Sequence, residues 1–523
     1  MRHSITWSER QKARQRLAGE NGTIIKDWGG KLPFAFVYPN TYFIGMSNLG
    51  LQAIYGLLNH FENIVCERLF WDSENSENGL LPLSVESQRP LTDFAVLAFS
   101  LNYELDYLNL ASLLKASHIP LYSEQRDASL PLLIAGGPCI TANPLPVAPF
   151  FDCLCSGEAE ALLPAMIPVL RENIAGDRED LLLLLSKLPG VYIPRRQSTD
   201  PIDRQWVRDL DKHPVHSVVL AQNTELHDLY LLEVQRGCAH GCRFCLVNSS
   251  FRPPRFHSLE SLIEQAHTGL GFRKRIGLVG PAVTDHPQIN ELFTQLLEIG
   301  AQLAISSLRM TSLSPGLMAM MAQGGVRSIA LAPESGSNCL RQSIRKGINE
   351  EQILEAIHLA VNAGMQQIKL YFMIGLPEET EKDIQAIVDL MVAVKLIVDR
   401  MRARTRLTVN LSPFVPKAGT AFQRIPMASL EALKIRAGFL GNNLGRLGIK
   451  VNRESPQWSE VQAVLARGDS SLAPVLAAIE KPSLPAWRNA AGLHRLDIDF
   501  FAHQKWNMRN ALPWRQFSGN SPA

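Results

Sequence analysis

The 523-residue sequence lacks the features that would place it in a membrane or outside the cell. Its longer apolar stretches, such as residues 386–398, are interrupted by Asp389 and Lys395 and fall short of the roughly 20 residues that a membrane span requires. The first twenty residues are basic and polar, without the apolar segment of a secretory signal. We therefore expect a cytoplasmic protein with no membrane partner.

An excess of charge of either sign is also missing. Lysine and arginine number 52 and aspartate and glutamate 50, so the net charge is +2 and gives no reason to expect a nucleic-acid partner. Cysteine is scarce, because eight residues in a chain of this length are too few for a disulfide framework. Three of the eight lie within residues 238–245, which predicts a metal site in a reducing compartment.

What the sequence does have is a long alternation of short apolar runs with amphipathic ones, starting at Leu32. This pattern predicts an α/β fold whose first domain is a doubly wound parallel sheet of the Rossmann or flavodoxin type. The chain is too long for one core. The predicted units are an N-terminal extension (1–29), this first domain (30–175), a linker (176–223), a second α/β domain (224–428) and a mainly helical C-terminal segment (429–523).

The second α/β domain contains six candidate strands, with helical patterns between most neighbours. Six βα units predict an open, partial (β/α)6 barrel rather than the eight units of a complete barrel. The candidate strands are Leu229–Val234, Arg275–Val279, Gln302–Ser306, Ser328–Ala332, Gln367–Met373 and Leu407–Leu411.

The three crowded cysteines follow the first of these strands, with the spacing Cys238-x3-Cys242-x2-Cys245. Loops at the carboxyl ends of barrel strands are where this architecture places its chemistry. Three thiolates on one loop suit three irons of a cubane and leave the fourth iron open. Gly237 and Gly241 would let the backbone wrap closely around it.

A zinc site is the alternative interpretation of this loop. Zinc also favours thiolates, and its structural sites are closed and tetrahedral. His240 or His257 would then supply the fourth ligand.

The cysteine spacing resembles that of the radical S-adenosylmethionine (SAM) superfamily, and Phe244 is the aromatic residue that typically precedes the third cysteine there. The resemblance implies a [4Fe-4S] cluster on the three cysteines, with SAM chelated at the open iron. Electron transfer from the cluster would cleave SAM and release a 5′-deoxyadenosyl radical. An electron donor such as a flavodoxin or ferredoxin is then expected as a partner.

Motifs at the ends of the next four strands resemble the SAM contacts of that family, and their shared direction predicts that they converge on one barrel mouth. The usual Gly-Gly-Glu is replaced here by Val279-Gly280-Pro281, and Arg345 competes with Lys346 for the SAM carboxylate. Glu334 would approach the ribose. The implied contacts, besides Phe244, are Gly280, Ser307, Arg309, Glu334, Lys346, Ile374 and Gly375.

The first domain resembles the cobalamin-binding domain that precedes many radical SAM enzymes. Its Ala-Gly-Gly-Pro and Ser-Gly-Glu motifs imply that Gly136, Gly137, Gly157 and Glu158 border the corrin or its nucleotide tail. The Asp-x-His-x-x-Gly motif that ligates cobalt is absent from the sequence. Tight turns and a favourable helix start are the alternative explanation of these residues, in a domain that has lost its ligand.

Nearly the full length resembles a group of uncharacterised bacterial cobalamin-type radical SAM proteins. The resemblance implies a cobalamin-dependent methyltransferase on an unknown substrate. The alternatives are a cobalamin-independent radical SAM enzyme that catalyses a rearrangement or oxidation, and a non-catalytic zinc-binding protein. Arg309, Asp285 and Glu379 are the candidate polar contacts to substrate.

We expect Trp487, Trp506 and Trp514 to be packing anchors. We expect the remaining cysteines to be small buried hydrophobes, namely Cys66, Cys139, Cys153, Cys155 and Cys339.

Overall fold

The structure is a computed structural model that describes residues 7–71, 81–196 and 200–517. Its strands, numbered in chain order, are β1 Glu20–Asn21, β2 Leu32–Tyr38, β3 Ile64–Phe70, β4 Val96–Ser100, β5 Leu132–Gly136, β6 Cys153–Cys155, β7 Val191–Tyr192, β8 Leu220–Ala221, β9 Leu229–Glu233, β10 Gln235–Arg236, β11 Arg255–Phe256, β12 Arg275–Val279, β13 Gln302–Ile305, β14 Ser328–Glu334, β15 Gln367–Ile374, β16 Arg406–Pro413 and β17 Lys450–Arg453.

The α-helices of the described residues are Trp7–Ala18, Tyr42–Met46, Leu49–His60, Leu110–Ala116, Pro138–Ala142, Ala159–Asn173, Arg178–Leu185, Leu246–Ser250, Leu259–Leu270, Ile289–Glu298, Pro315–Gln323, Asn338–Ser343, Glu350–Asn362, Glu381–Arg400, Leu430–Arg446, Pro456–Arg467, Leu472–Ala477, Leu484–Leu493 and Ile498–Ala502. Within the described ranges, no helix is both long and apolar enough to cross a membrane.

The first sheet has the strand order β3-β2-β4-β5-β6-β7. Its first five strands are parallel, while β7 joins β6 in the antiparallel sense. This order reverses between β2 and β4, which creates a crevice at the carboxyl edge of the sheet. β7 and helix Arg178–Leu185 lie inside the segment predicted as a linker, because two strand residues give no periodicity that the sequence could reveal.

Buried side chains cover both faces of this sheet. Phe34, Phe36 and Ile134 face helices Leu49–His60 and Ala159–Asn173. The residues between them, such as Ala35 and Val37, belong to a larger core that continues into the second domain and the C-terminal helices. One continuous core therefore ties the first sheet to the rest of the described chain.

The second domain contains the six predicted parallel strands, β9, β12, β13, β14, β15 and β16, with boundaries shifted by at most two residues at their ends. The expectation of only six was wrong, because β17 adds a parallel strand beside β16. The seven strands form two sheets, β13-β12-β9 and β14-β15-β16-β17. β17 went unpredicted because three of its four residues are exposed and carry no apolar alternation.

The C-terminal helices pack across both domains. The side chain of Asn143, next to helix Pro138–Ala142, donates to the carbonyl oxygens of Ala466 and Gly468. Trp487, Trp506 and Trp514 are all buried, which confirms them as packing anchors. Cys66, Cys139, Cys153 and Cys155 are buried as expected, but the prediction was wrong for Cys339, which is exposed because it lies on the outer side of a short helix.

One buried carboxylate at the carboxyl edge of the first sheet has no charged partner. Asp106 is 2% exposed and accepts one hydrogen bond from Asn40 at 2.8 Å, while its other oxygen has no partner. Burial raises the pKa of Asp106 to about 7, and the nearby charge of Glu104 adds to the rise. Below a pH of about 7, the carboxyl of Asp106 is therefore mainly protonated in the native protein.

This carboxyl should make stability fall as pH rises. Between pH of about 4 and 7 the native protein holds a proton that the unfolded chain releases, and a shift of about three pKa units corresponds to about 4 kcal/mol. Asp106→Asn should therefore gain stability relative to wild type across this window and keep the gain above it. Urea unfolding at several pH values measures the difference, with the exposed Asp93→Asn as the control for loss of a carboxylate. A difference independent of pH would contradict the assignment.

Candidate functional site

The three clustered cysteines lie where the first barrel strand ends, between β10 and helix Leu246–Ser250. Gly237 precedes the loop with φ of +82°, and a side chain there would come within 2.2 Å of the carbonyl oxygen of Phe251. A glycine is therefore needed at position 237 to avoid a clash with the protein backbone, rather than to make room for a cluster. Gly241 has no such constraint, since a side chain at that position would meet only Arg345, at 3.9 Å.

The three thiols are close enough for the charge of one to affect the pKa of another. Burial raises the pKa values of Cys242 and Cys245, and the charge of the neighbouring cysteines raises them further. The ammonium of Lys346 opposes this rise at both thiols. Within the described residues no three His, Cys, Asp or Glu side chains are gathered around one point as a single metal ion needs. A cubane instead takes each thiolate on a different iron.

Neither histidine considered as a fourth ligand is free. His240 accepts at Nδ1 from the guanidinium of Arg309, so its Nε2 carries the proton and donates to Asp285 at 2.5 Å. His257 is buried, with Nδ1 3.2 Å from Asp211 and Nε2 3.7 Å from Glu233. His240 is thus bonded through both ring nitrogens and His257 through Nδ1, while Nε2 of His257 makes no hydrogen bond.

The contacts of His240 also hold together the loops that follow β12 and β13. Besides His240, Asp285 accepts from Ser312 at 3.0 Å, and the backbone N–H of Arg309 donates to Thr284. Arg309 and Asp285 therefore form a network beside the cysteine loop. Ser306, next to the predicted SAM contact Ser307, accepts from the backbone N–H of Gly280 at 3.4 Å.

Glu334 and Lys346 form an ion pair at 2.8 Å at the end of β14. Glu334 has φ of +68°, an unusual backbone conformation for a residue with a side chain. This conformation turns its carboxylate toward Lys346 and the cysteine loop, since the charges of both act on the pKa of Cys242. The predicted competitor, Arg345, lies against Gly241 instead.

The end of β15 is held by a buried ion pair. Glu379 accepts from the backbone N–H of Gly375 at 2.7 Å and pairs with Arg436 at 2.8 Å. The side chain of Glu379 is 1% exposed, so it is a structural tie to helix Leu430–Arg446 and its prediction as a substrate contact was wrong. The side chain of Ile374 is buried in the core between the strands and the outer helices, so that only its backbone is open to a ligand.

Phe244 is packed rather than free. It lies against a small cluster that includes Ile344, Phe414 and Phe422. The adjacent Arg243 donates its backbone N–H to Ile344 and stacks its guanidinium on Phe422 at 4.8 Å. These contacts fix the cysteine loop to the loops after β14 and β16, and sequence reasoning missed Arg243 and Phe422 because neither belongs to a motif.

A cavity of about 540 Å³ opens from the first sheet toward the barrel. Its inner part is apolar, between the sheet and helices Leu49–His60 and Ala159–Asn173, and its mouth reaches Phe251 and Val279 near the cysteine loop. The structure brings the four residues Gly136, Gly137, Gly157 and Glu158 together at this cavity. A volume in the range of about 300–1,000 Å³ is typical of small-molecule sites.

Glu158 is also the centre of an ion-pair cluster at the cavity mouth. Its carboxylate is 2.6 Å from Arg255, 3.0 Å from Arg236 and 3.7 Å from Arg204, and it accepts from the backbone N–H of Val207. Burial alone would raise the pKa of Glu158, but the hydrogen bond from Arg255 and the two nearest guanidinium charges hold it below its ordinary value. Arg236 stands two residues before Cys238, so this cluster connects the cavity to the cysteine loop.

Comparison with known families agrees with this layout. The family described as the radical SAM superfamily matches residues 232–391, and the family of radical SAM proteins, N-terminal, matches residues 50–194. The chain thus carries a radical SAM domain. It is therefore an enzyme, and the alternative of a non-catalytic zinc-binding protein is removed. The N-terminal match is not to a cobalamin-binding family.

Curated relatives of this radical SAM enzyme include two archaeal proteins. The uncharacterized protein MJ0966 of Methanocaldococcus jannaschii is 29% identical over 455 residues, 86% of this chain and 91% of that protein. The uncharacterized methyltransferase PH0819 of Pyrococcus horikoshii is 23% identical over 279 residues, 51% of this chain and 58% of that protein.

Solved structures with some likeness include coproporphyrinogen III oxidase (HemN) of Escherichia coli, at 15% identity and a TM-score of 0.31 over 41% of this chain and 52% of that one. SuiB of Streptococcus suis bound to S-adenosylmethionine has 11% identity and a TM-score of 0.30 over 43% of this chain and 47% of that one. The chain spans about half the length of these two solved proteins.

Glu158→Gln should destabilise the radical SAM enzyme strongly. The amide turns a donor toward guanidinium groups and leaves a buried charge unpaired, which costs about 3–5 kcal/mol in typical buried ion pairs. Urea unfolding of the metal-free protein measures this. Glu179→Gln, which breaks the exposed pair with Arg195, is the matched control and should cost less than about 1 kcal/mol. Equal costs for the two variants would show that the cluster does not hold the domains together.

Proposed function

We propose that this radical SAM enzyme holds a [4Fe-4S] cluster on Cys238, Cys242 and Cys245 and cleaves SAM at it. The proposal rests on one observation. Three free thiols lie on one loop at the barrel mouth, beside the Glu334–Lys346 pair. Both histidines considered as a fourth ligand are engaged elsewhere. Three protein ligands leave one iron open for SAM, and such a cluster supplies the electron that converts SAM to a 5′-deoxyadenosyl radical.

The Glu334–Lys346 pair would bind SAM by exchanging partners. SAM brings a carboxylate for Lys346 and ribose hydroxyls for Glu334, so each charged group keeps a partner when the pair at 2.8 Å is opened. The exchange avoids leaving a half-buried charge unpaired. The backbone at Ile374 and Gly375 and the side chain of Phe244 would border the adenine, while Gly280, Ser307 and Arg309 would border the methionine part.

Substitution of the central cysteine tests the cluster. Cys242→Ala removes one thiolate from the loop, so the variant should lose iron and sulfide after anaerobic reconstitution and should form no deoxyadenosine from SAM under reduction. Cys339→Ala, which removes an exposed thiol, is the control and should retain both. Deoxyadenosine formation by Cys242→Ala at the rate of the control would sink the proposal. A flavodoxin or ferredoxin is the proposed physiological electron donor.

We further propose that the reaction is a cobalamin-dependent methyl transfer. The cavity supports this proposal, since its apolar inner part lies between the sheet and two helices and would take the nucleotide tail, while its mouth opens toward the barrel. Gly136, Gly137, Gly157 and Glu158 would then border the cofactor. The cavity lining contains no histidine, so the cobalt would have no imidazole ligand from it. A relative named a methyltransferase points the same way.

Filling the cavity tests the cobalamin proposal. Ala98 lies on β4 in the cavity wall, so Ala98→Phe should abolish binding of hydroxocobalamin while leaving deoxyadenosine formation intact. Corrin absorbance after desalting measures binding, and Ala128→Phe, at an exposed loop position, is the control for added bulk. Wild-type protein that retains no corrin would favour the cobalamin-independent alternative. Unchanged binding by Ala98→Phe would place the corrin elsewhere.

A further inference from the structure

In the sheet β14-β15-β16-β17, the inner wall is polar on its last three strands. Along β15 the residues Ile368, Leu370 and Phe372 are buried in the core beneath the outer helices. The alternate residues therefore face the barrel interior, because successive side chains of a strand point to opposite faces. Through the register with β16 and β17, these residues form two rows, Lys369–Thr408–Lys450 and Tyr371–Asn410–Asn452. We call these six residues the inner polar face.

Within the described residues, the inner polar face has two ammonium groups without an ion-pair partner and one buried amide nitrogen without a hydrogen-bond partner. Lys369 and Lys450 form no ion pair with any carboxylate in the described part of the chain, and they flank Thr408 from the two neighbouring strands. Asn452 donates to the oxygen of Asn410 at 2.9 Å, which leaves the buried amide nitrogen of Asn410 without a partner. Beside Lys369 stands Ala330 on β14, whose small side chain leaves space.

Three carboxylates at the barrel mouth are already paired. Glu233 is paired with Arg236, Asp285 with His240, and Glu334 with Lys346. The opposite wall of the barrel is apolar, where Leu229, Leu231 and Val279 pack with neighbouring hydrophobes. Lys369 and Lys450 therefore stand on the wall that faces this apolar one.

We infer that the inner polar face binds an acidic group of the substrate, a carboxylate or a phosphate. The inference rests on the SAM reaction proposed above for the same barrel. Ammonium and amide donors that share one wall and lack partners are complementary to an oxyanion, and charge-assisted hydrogen bonds are the stronger ones. The row of Lys369 lies five residues below Ile374, a distance of about 16 Å along the strand. The acidic group is thus bound at the end of the substrate remote from the cluster.

Anion binding to the reconstituted enzyme tests the inference. Isothermal titration calorimetry is done anaerobically with saturating SAM, so that Lys346 is already occupied, and the probes are inorganic phosphate and glutarate. At least one probe should bind, and the stronger of the two tells a phosphate substrate from a carboxylate one. Lys369→Gln and Asn410→Asp should each raise Kd by about tenfold or more, because the first removes a charge and the second adds a repelling one.

Lys382→Gln is the matched control, since it removes the same charge from an exposed position on the outer helix Glu381–Arg400. It should leave Kd unchanged. Failure of both probes to bind, or equal Kd values for Lys369→Gln and Lys382→Gln, would overturn the inference. Deoxyadenosine formation is measured on the same samples. Wild type that forms deoxyadenosine but binds neither anion refutes only this inference, whereas anion binding without deoxyadenosine refutes the proposed SAM reaction and leaves the anion site standing.

Discussion

A single buried carboxylate, Glu158, sets how the two α/β layers meet. It follows β6 in the first sheet, while the arginines that surround it come from the connecting segment and from the β10–β11 hairpin. Charges taken out of water are costly unless paired, so separating these groups would destabilise the fold. Because Arg236 leads directly into Gly237 and Cys238, the position of the cysteine loop is tied to the edge of the first sheet.

A second tie lies on the same edge of the sheet. Lys417, in the loop after β16, pairs with both oxygens of the buried Glu104, at 2.6 and 2.8 Å. Gln462 on a C-terminal helix adds a hydrogen bond to the same carboxylate. With Glu158 on one side and Glu104 on the other, the carboxyl edge of the first sheet is held over the barrel mouth. A mouth covered in this way favours radical chemistry, because covering it keeps water from reactive intermediates.

The sequence predicted most of the regular structure but little of what joins its parts. The six barrel strands were found because each is a short apolar or alternating segment with clear ends, as β15 and β16 show. β7 and β17 were missed because two or four residues, largely exposed in β17, carry no period. Long-range ion pairs were missed for a different reason. Nothing local marks Arg204, Arg236 and Arg255 as partners of Glu158, since they become neighbours only through the tertiary fold.

The candidate site also contains residues that the sequence could predict and residues that it could not. The cysteine loop and the pair Glu334–Lys346 could be predicted from motifs, because each motif follows its strand at a fixed spacing. Glu379 could not, since its sequence context is equally suited to an open site and to the buried pair that it forms with Arg436. Whether a charged residue near a strand end meets a ligand or a partner depends on the helix packed behind it, here Leu430–Arg446.

The asymmetry of the barrel follows from where the first domain sits. Leu49 of the first domain and Val215 of the connecting segment pack on Leu229 and Leu231, so the wall formed by β9, β12 and β13 is already covered by protein. An apolar wall is stable there because burial against Leu49 removes it from water. The wall formed by β15, β16 and β17 is more open, since Tyr371 in its centre is 39% exposed. Polar side chains are the stable choice on an open wall, and the open wall is also the one that a substrate can reach. The first domain therefore covers the apolar wall of the barrel and leaves the polar one more open.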